Sequence, residues 1–297
     1  MSFIELRGVL PPMITPFTRT GDVDFEGHVK NINRWNAEDL SGYLVLGSNS
    51  ETPYLTESEK IRLVELTVKH AAKGRTLLAG TGLESTRETI RFTNLVADLG
   101  VHAALILTPH FYGGQMDDKA LVAHFREVAE RSRIPVLIYN VPAYTRLMIS
   151  LDAVRGLCEH PNIIGMKDSS GDVPRLAAMK SFLPPAFNLL VGTAGAWYPA
   201  LTLGVRGGIL ALANLAGSQC STVQKLFDER RYEEARKLYL NLISLNTAIT
   251  STYGIAGLKY AATLLGYVGG AVRSPLLGLD EQASARIRDL LSKSGLL

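Results

Sequence analysis

Short, unbroken apolar runs separated by helix-like segments constrain this chain more than any other feature. The runs are VLPPMITPF from Val9, GYLVLGSNS from Gly42, TLLAGTG from Thr76, AALILTPHFY from Ala103, IPVLIYNVP from Ile134, IIGMKDSS from Ile163, NLLVGTA from Asn188 and GGILALAN from Gly207. Strands that alternate apolar and polar residues have one wet face, whereas unbroken runs mark strands buried on both faces, as in parallel sheets. The intervening segments carry helix signals. Thr56 is followed three residues on by Glu59 and Ser85 by Glu88, both capping-box patterns, and Gly100 closes the second of these segments. The stretch from Met116 keeps the same apolar rhythm. Eight strand–helix alternations predict a (β/α)8 TIM barrel, for which roughly 250 residues is typical. An open doubly wound sheet would have fewer strands and a glycine phosphate fingerprint after the first, and neither is present. Residues 1–217 then hold the barrel through its eighth strand. Residues 218–297 read as the last barrel helix and a C-terminal helical extension of the same domain.

Composition removes several function classes. With 31 Lys and Arg against 28 Asp and Glu, the net charge is +3 and the charges are scattered, so no basic stripe exists for nucleic acid. The 46% apolar and 20% charged residues exclude wholesale disorder. Two cysteines, Cys158 and Cys220, make no disulfide framework, and no Cys/His pair has zinc-ligand spacing, which favours a reduced, cytoplasmic setting. The N-terminus has no signal-peptide pattern, and the most membrane-like stretch, 189–205, is interrupted by Gly192, Gly195 and Pro199. A buried strand, a glycine turn and a short helix account for it better than a membrane span.

In such barrels the chemistry sits at the C-terminal ends of the strands. There the chain places Ser48–Glu51, Thr81, Thr108, Tyr139-Asn140, Lys167–Ser170, Thr193 and Asn214. Lys167 is the unusual one. Strand parity puts Ile163, Gly165 and Lys167 on one face and Ile164 and Met166 on the other, so an interior first face would carry an amine into an apolar channel. Burial disfavours the charged form of an amine, and the neutral form attacks a ketone; the resulting iminium draws electrons from the neighbouring carbon and lets a C–C bond there break or form. A lysine snorkelling outward, or paired with Asp168, is the ordinary alternative, and parity does not separate the two. Tyr139 shares parity with Leu137 at the end of the preceding strand, where a phenol could shuttle the protons that imine formation requires. A core aromatic capping the barrel is the bland alternative.

The segments GSNSE, TP followed by aromatics, YNVP, GMKDSSGD, GGILALAN and the late RSPL, in order across almost the whole chain, resemble the dihydrodipicolinate synthase/N-acetylneuraminate lyase family. The resemblance implies a Schiff-base lyase on a (β/α)8 barrel. Lys167 would form the imine with pyruvate or a pyruvate-yielding substrate, and Tyr139 would transfer protons. Ser48 and Asn49 would hold the pyruvate carboxylate, while Gly192 and Ile209 match pocket positions. It further implies a homotetramer built as a dimer of dimers.

Departures from the family pattern narrow the expectation. Tyr144 stands where the synthases carry an arginine that clamps the second carboxylate, with Arg146 nearby, and Thr193-Ala194-Gly195 replace the acidic residues of sialic acid lyases. The chain therefore looks most like the 4-hydroxy-2-oxoglutarate aldolase branch, in which a serine two after the lysine, here Ser169, handles the distal end of the substrate. The ordinary reading of Ser169 is a helix N-cap. Ser50 replaces a family glycine, and Phe111 stands where many members lend a tyrosine to a neighbouring subunit, leaving Tyr112 as the candidate relay. The resulting expectation is cleavage of a 4-hydroxy-2-oxo acid to pyruvate plus an aldehyde such as glyoxylate. It involves no metal, no cofactor beyond the lysine imine, and no partner except a small 2-oxo acid substrate. Alternatives are dihydrodipicolinate synthase itself, a dehydratase or hydratase-aldolase on the same imine, and a non-catalytic barrel that binds a 2-oxo acid. Pyridoxal phosphate chemistry is disfavoured, because no phosphate-binding glycine loop stands beside Lys167.

Overall fold

The computed structural model describes residues 4–297. Strands form within all eight apolar runs: β1 (Gly8–Leu10), β2 (Gly42–Val45), β3 (Thr76–Gly80), β4 (Ala103–Leu107), β5 (Val136–Asn140), β6 (Ile163–Asp168), β7 (Asn188–Val191) and β8 (Gly207–Ile209). They make one sheet in the order β1-β8-β7-β6-β5-β4-β3-β2, and the pairs from β3 to β8 are parallel. Each strand lies beside its neighbour in sequence and the last beside the first, the connectivity of a (β/α)8 barrel. Several strands stop short of their apolar runs for local reasons. β1 ends before Pro11-Pro12, which have no N–H to donate to a ladder, and β4 ends before Thr108-Pro109.

The first helix signal forms in full and the second in part, because the Glu88 carboxylate pairs with Arg91 at 2.7 Å instead of closing a box with Ser85. Thr56 and Glu59 form the reciprocal capping box of the helix Glu57–His70, and Ser85 caps Thr86–Asp98, after which Gly100 takes φ 99°. The stretch 189–205 divides into the end of β7, a 3-10 turn Ala194–Ala196 and the helix Trp197–Thr202. Among the described residues no helix is long and apolar enough to cross a membrane. Cys158 and Cys220 are both buried and are not joined in a disulfide.

The chain packs as two compact units. One comprises residues 4–7 and Thr76–Gly208, with β3 to β7 and their helices. Its N-terminal segment is clasped by Asn188, whose side chain accepts from the Leu6 N–H at 2.8 Å and donates to the carbonyls of Ile4 and Ile164, each at 2.9 Å. The other comprises Gly8–Arg75 and Ile209–Leu297, with β1, β2 and the helices Phe25–Asn36, Glu57–His70, Ala213–Asp228, Tyr232–Thr247, Gly254–Leu264 and Glu281–Lys293. Here Asn214, fully buried, donates to Pro12 O at 3.0 Å and accepts from Ile14 N–H at 3.2 Å, while its own carbonyl accepts from the Trp35 indole at 3.2 Å. A buried amide satisfied on three sides fixes where the strand-like N-terminal segment meets the helices.

Candidate active site

Lys167, next to last in β6, is 3% exposed. It is the register partner of Tyr139 on β5, and its amine stands 4.1 Å from the centre of the Tyr139 ring. That is a cation–π distance, so the ring's negative face shares the amine's environment. The alternatives left by strand parity are thereby separated: Lys167 does not snorkel, and Asp168 pairs with Arg175 at 3.0 Å instead. The amine meets the ring face of Tyr139, whereas proton shuttling is the business of the phenol rim.

Ser169 follows the strand. Its N–H donates to Asn140 O at 2.9 Å, but its hydroxyl is buried with no hydrogen-bond partner among the described residues. Helix capping does not explain it, because Asp172 caps Val173–Lys180 by accepting from Arg175 N–H at 2.9 Å. An orphaned hydroxyl costs about 1–3 kcal/mol, a cost that a ligand group or bound water would relieve. Gly192 keeps the space beside it open. A Cβ there would lie 1.7 Å from Ser169 Oγ and 3.0 Å from Lys167 Cε, while the Gly192 N–H donates to Asp168 O at 2.7 Å. Lys167, Tyr139, Ser169 and Gly192 are thus gathered in one place.

Tyr144 lies on the short helix Pro142–Thr145 and is 55% exposed. Its hydroxyl is nonetheless pushed above the ordinary phenol range, by desolvation first and by the neighbouring Tyr139 second. Tyr112 is 69% exposed with its ring edge-on to Phe111, 5.0 Å between centroids, and does not join the group around Lys167. Glu84 holds this loop, accepting from the N–H groups of His110 and Phe111 at 2.9 Å each.

Ser48, Asn49 and Ile209 belong to the other unit. Ser48–Ser50 form a 3-10 turn, and the left-handed position that follows is Glu51, φ 54°. Ser50 therefore needs no glycine conformation, and its hydroxyl donates to Met13 O at 2.6 Å. Asn49 is 9% exposed, and its Nδ2 is buried without a partner among the described residues. Ile209 is fully buried at the end of β8.

Two charged clusters escaped the sequence reading. Asp168 pairs with Arg175 and accepts from Asn140 Nδ2 at 2.9 Å. In the other unit, Glu51 pairs with Lys259 at 2.6 Å, both side chains 1% exposed, and accepts from Arg273 N–H at 2.8 Å. Burial, only partly offset by Glu51, pulls the Lys259 amine down to about 8. The available signal was a lone cation inside the apolar helix stretch GIAGLKYAATL.

The model of the dihydrodipicolinate synthetase family matches residues 5–294. The chain is 32% identical to a 4-hydroxy-tetrahydrodipicolinate synthase of Macrococcus caseolyticus, covering 98% of this chain and 97% of that protein. Among solved structures it is similar to dihydrodipicolinate synthase DapA-2 of Bacillus anthracis, with TM-score 0.93, 27% identity and coverage of 97% and 98%. It is also similar to the chloride-inhibited dihydrodipicolinate synthase of Acinetobacter baumannii complexed with pyruvate, with TM-score 0.93, 28% identity and coverage of 99% and 100%.

Proposed function

This chain belongs to the dihydrodipicolinate synthetase family and is a lyase of the pyruvate-dependent Schiff-base type, and on that premise we propose that Lys167 is the residue that forms the imine. The observation that carries the proposal is a buried amine set over the Tyr139 ring beside an unpartnered serine hydroxyl. In the reaction, the Lys167 amine adds to the C2 ketone of pyruvate and water leaves. The iminium then acidifies C3, and loss of a C3 proton gives an enamine that attacks an aldehyde. Tyr139 is the proton carrier, since each addition and elimination moves a proton across the new C–N bond. For Ser48 and Asn49 the family resemblance implies donors to a carboxylate, and Asn49 Nδ2 is a buried donor without a partner among the described residues. The imine itself is the electron sink, so the sequence of steps calls on no metal.

For the second substrate, aspartate semialdehyde is the first reading, supported by relatives named as synthases along the whole chain. Cleavage of a 4-hydroxy-2-oxo acid such as 4-hydroxy-2-oxoglutarate, the expectation from sequence, finds less support among them and stands second. Tyr144 is the observation that keeps it, because a neutral phenol replaces a guanidinium where a distal carboxylate would be clamped. Self-association into a tetramer belongs to the same proposal. Phe111 and Tyr112, 76% and 69% exposed, are the aromatics that the resemblance assigns to a partner subunit, and light scattering of the purified chain at about four times its monomer mass is the expected result.

Intact-mass spectrometry after borohydride reduction with pyruvate tests the central claim. The expected outcome is a pyruvate-sized adduct on the wild type and none on Lys167→Ala. An unlabelled but folded wild type would sink the imine reading in favour of a barrel that only binds 2-oxo acids. Turnover assays with aspartate semialdehyde in one direction and 4-hydroxy-2-oxoglutarate in the other then decide the second substrate.

A further inference from the structure

Tyr139 and Lys167 are register partners, and so are the residues that follow them, Asn140 and Asp168. By strand alternation the second pair stands on the opposite face of the sheet from the first. Both are buried, at 0% and 2% exposure. Asp168 Oδ2 accepts from Asn140 Nδ2 at 2.9 Å and from Arg175 Nε at 3.0 Å; Oδ1 accepts from the Ser170 N–H at 2.9 Å and from the Ser170 hydroxyl. Arg175, on the helix Val173–Lys180 with a side chain 9% exposed, also donates through Nη2 to Ile149 O at 2.5 Å. Asn140 Oδ1 accepts from Ile149 N–H at 3.2 Å. One ion pair therefore ties together the ends of β5 and β6, the helix after β6 and the segment that follows Tyr144.

The main-chain carbonyls of the same two residues hold the candidate site from behind. Asn140 O receives the Ser169 N–H at 2.9 Å, and Asp168 O receives the Gly192 N–H at 2.7 Å. A buried ion pair contributes little net stability compared with well-packed apolar residues, because desolvation offsets the attraction; where it is retained, the arrangement it enforces is the better reason. Here the arrangement is the relative placement of an amine, a phenol ring and a hydroxyl, each one residue from a member of the network.

We infer that Asp168 and Arg175 are positioning residues for imine formation: they touch no substrate, but they lock the ends of β5 and β6 so that Tyr139, Lys167 and Ser169 keep their mutual geometry. The inference rests on the Schiff-base reading of Lys167. A misplacement of about 1 Å can cost on the order of a hundredfold in rate, so a network that sets this placement acts on the chemical step more than on pyruvate affinity.

The test measures the rate of pyruvate adduct formation under borohydride, as a function of pyruvate concentration and pH, per folded protein as judged by near-UV circular dichroism. Arg175→Met, which leaves Asp168 unpaired, is expected to form the adduct about a hundredfold more slowly, with the half-saturating pyruvate concentration within about twofold of wild type and a displaced pH profile. Arg175→Lys, which restores the charge but not the guanidinium fork, is expected to recover about tenfold of that loss. Wild-type rate and pH profile in folded Arg175→Met overturn the inference. If that variant does not fold, Arg175→Lys decides by the same readouts, and wild-type behaviour there overturns it. A wild type that takes no adduct overturns the Schiff-base reading and this inference with it, whereas a wild type and variant that trap equally well overturn the inference alone.

Discussion

A methyl group at position 192 would meet Ser169 Oγ at 1.7 Å and Lys167 Cε at 3.0 Å, so the absence of a side chain there is a condition for the site. Gly192→Ala is expected to lower kcat/KM by about a hundredfold or more, because the serine and the lysine must both move, while the melting temperature changes little. Steady-state kinetics beside thermal denaturation check this, and an Ala variant with wild-type kcat/KM would remove the argument. At this scale the sequence was informative where chemistry is rare: a lysine at the end of an apolar strand and a tyrosine at the end of the preceding one need only the period-2 rule to face each other. Ser169 was ambiguous because serine serves caps and substrates alike; only the assignment of the cap to Asp172 separates the two. Arg175 was illegible, since an arginine early in a helix looks like any solvated cation until its carboxylate is known.

Between elements, the loop carrying Ser48 and Asn49 is anchored by the residue that ends it. Glu51 turns the chain through a left-handed conformation and buries its carboxylate against Lys259 of the helix Gly254–Leu264, with Arg273 N–H on the second oxygen. The Arg273 side chain in turn grips Glu59 in the first turn of Glu57–His70, at 2.5 and 2.8 Å. Lys259→Met would leave a buried carboxylate uncompensated and is expected to cost about 3–5 kcal/mol in chemical denaturation. The double variant Glu51→Gln/Lys259→Met is expected to be the more stable of the two, since no charge is then stranded. If both lose equally, packing rather than charge accounts for the pair. Element boundaries followed from local signals such as caps, prolines and apolar runs. A contact across 208 positions of sequence, such as Lys259 to Glu51, has no local signature.

For the whole molecule, acid is the expected weak direction. His28 is 1% exposed; its Nε2 meets Thr67 Oγ1 at 3.1 Å, and because that hydroxyl donates to Leu63 O at 2.8 Å, the imidazole nitrogen is the donor. Burial holds His28 down to about 4, and the same cause holds His124 down to about 4. The unfolded chain takes up these protons below about 6.5 and the folded chain only near 4, so stability present above 6.5 is lost as pH falls towards 4, roughly 3 kcal/mol for His28 alone. Urea unfolding from pH 7 to 4 is expected to show that slope and to show it reduced in His28→Gln; an unchanged slope would refute the assignment. The alternation of buried strands and capped helices made the barrel legible from sequence, because the strands are largely buried on both faces. The division into two units was not, because one of them is assembled from both ends of the chain: Asn31 meets Val268, Arg34 meets Leu265 and Gly266, and Glu38 meets Ser218 and Tyr267. That discontinuity has a consequence during synthesis. Thr76–Gly208 emerges from the ribosome as one uninterrupted stretch and can begin to condense early, together with the segment that Asn188 clasps. Gly8–Arg75, made before it, finds the rest of its unit only when Ile209–Leu297 follows, so an earlier-made stretch of the chain is expected to be buried after a later-made one and to stay longer within reach of chaperones and proteases.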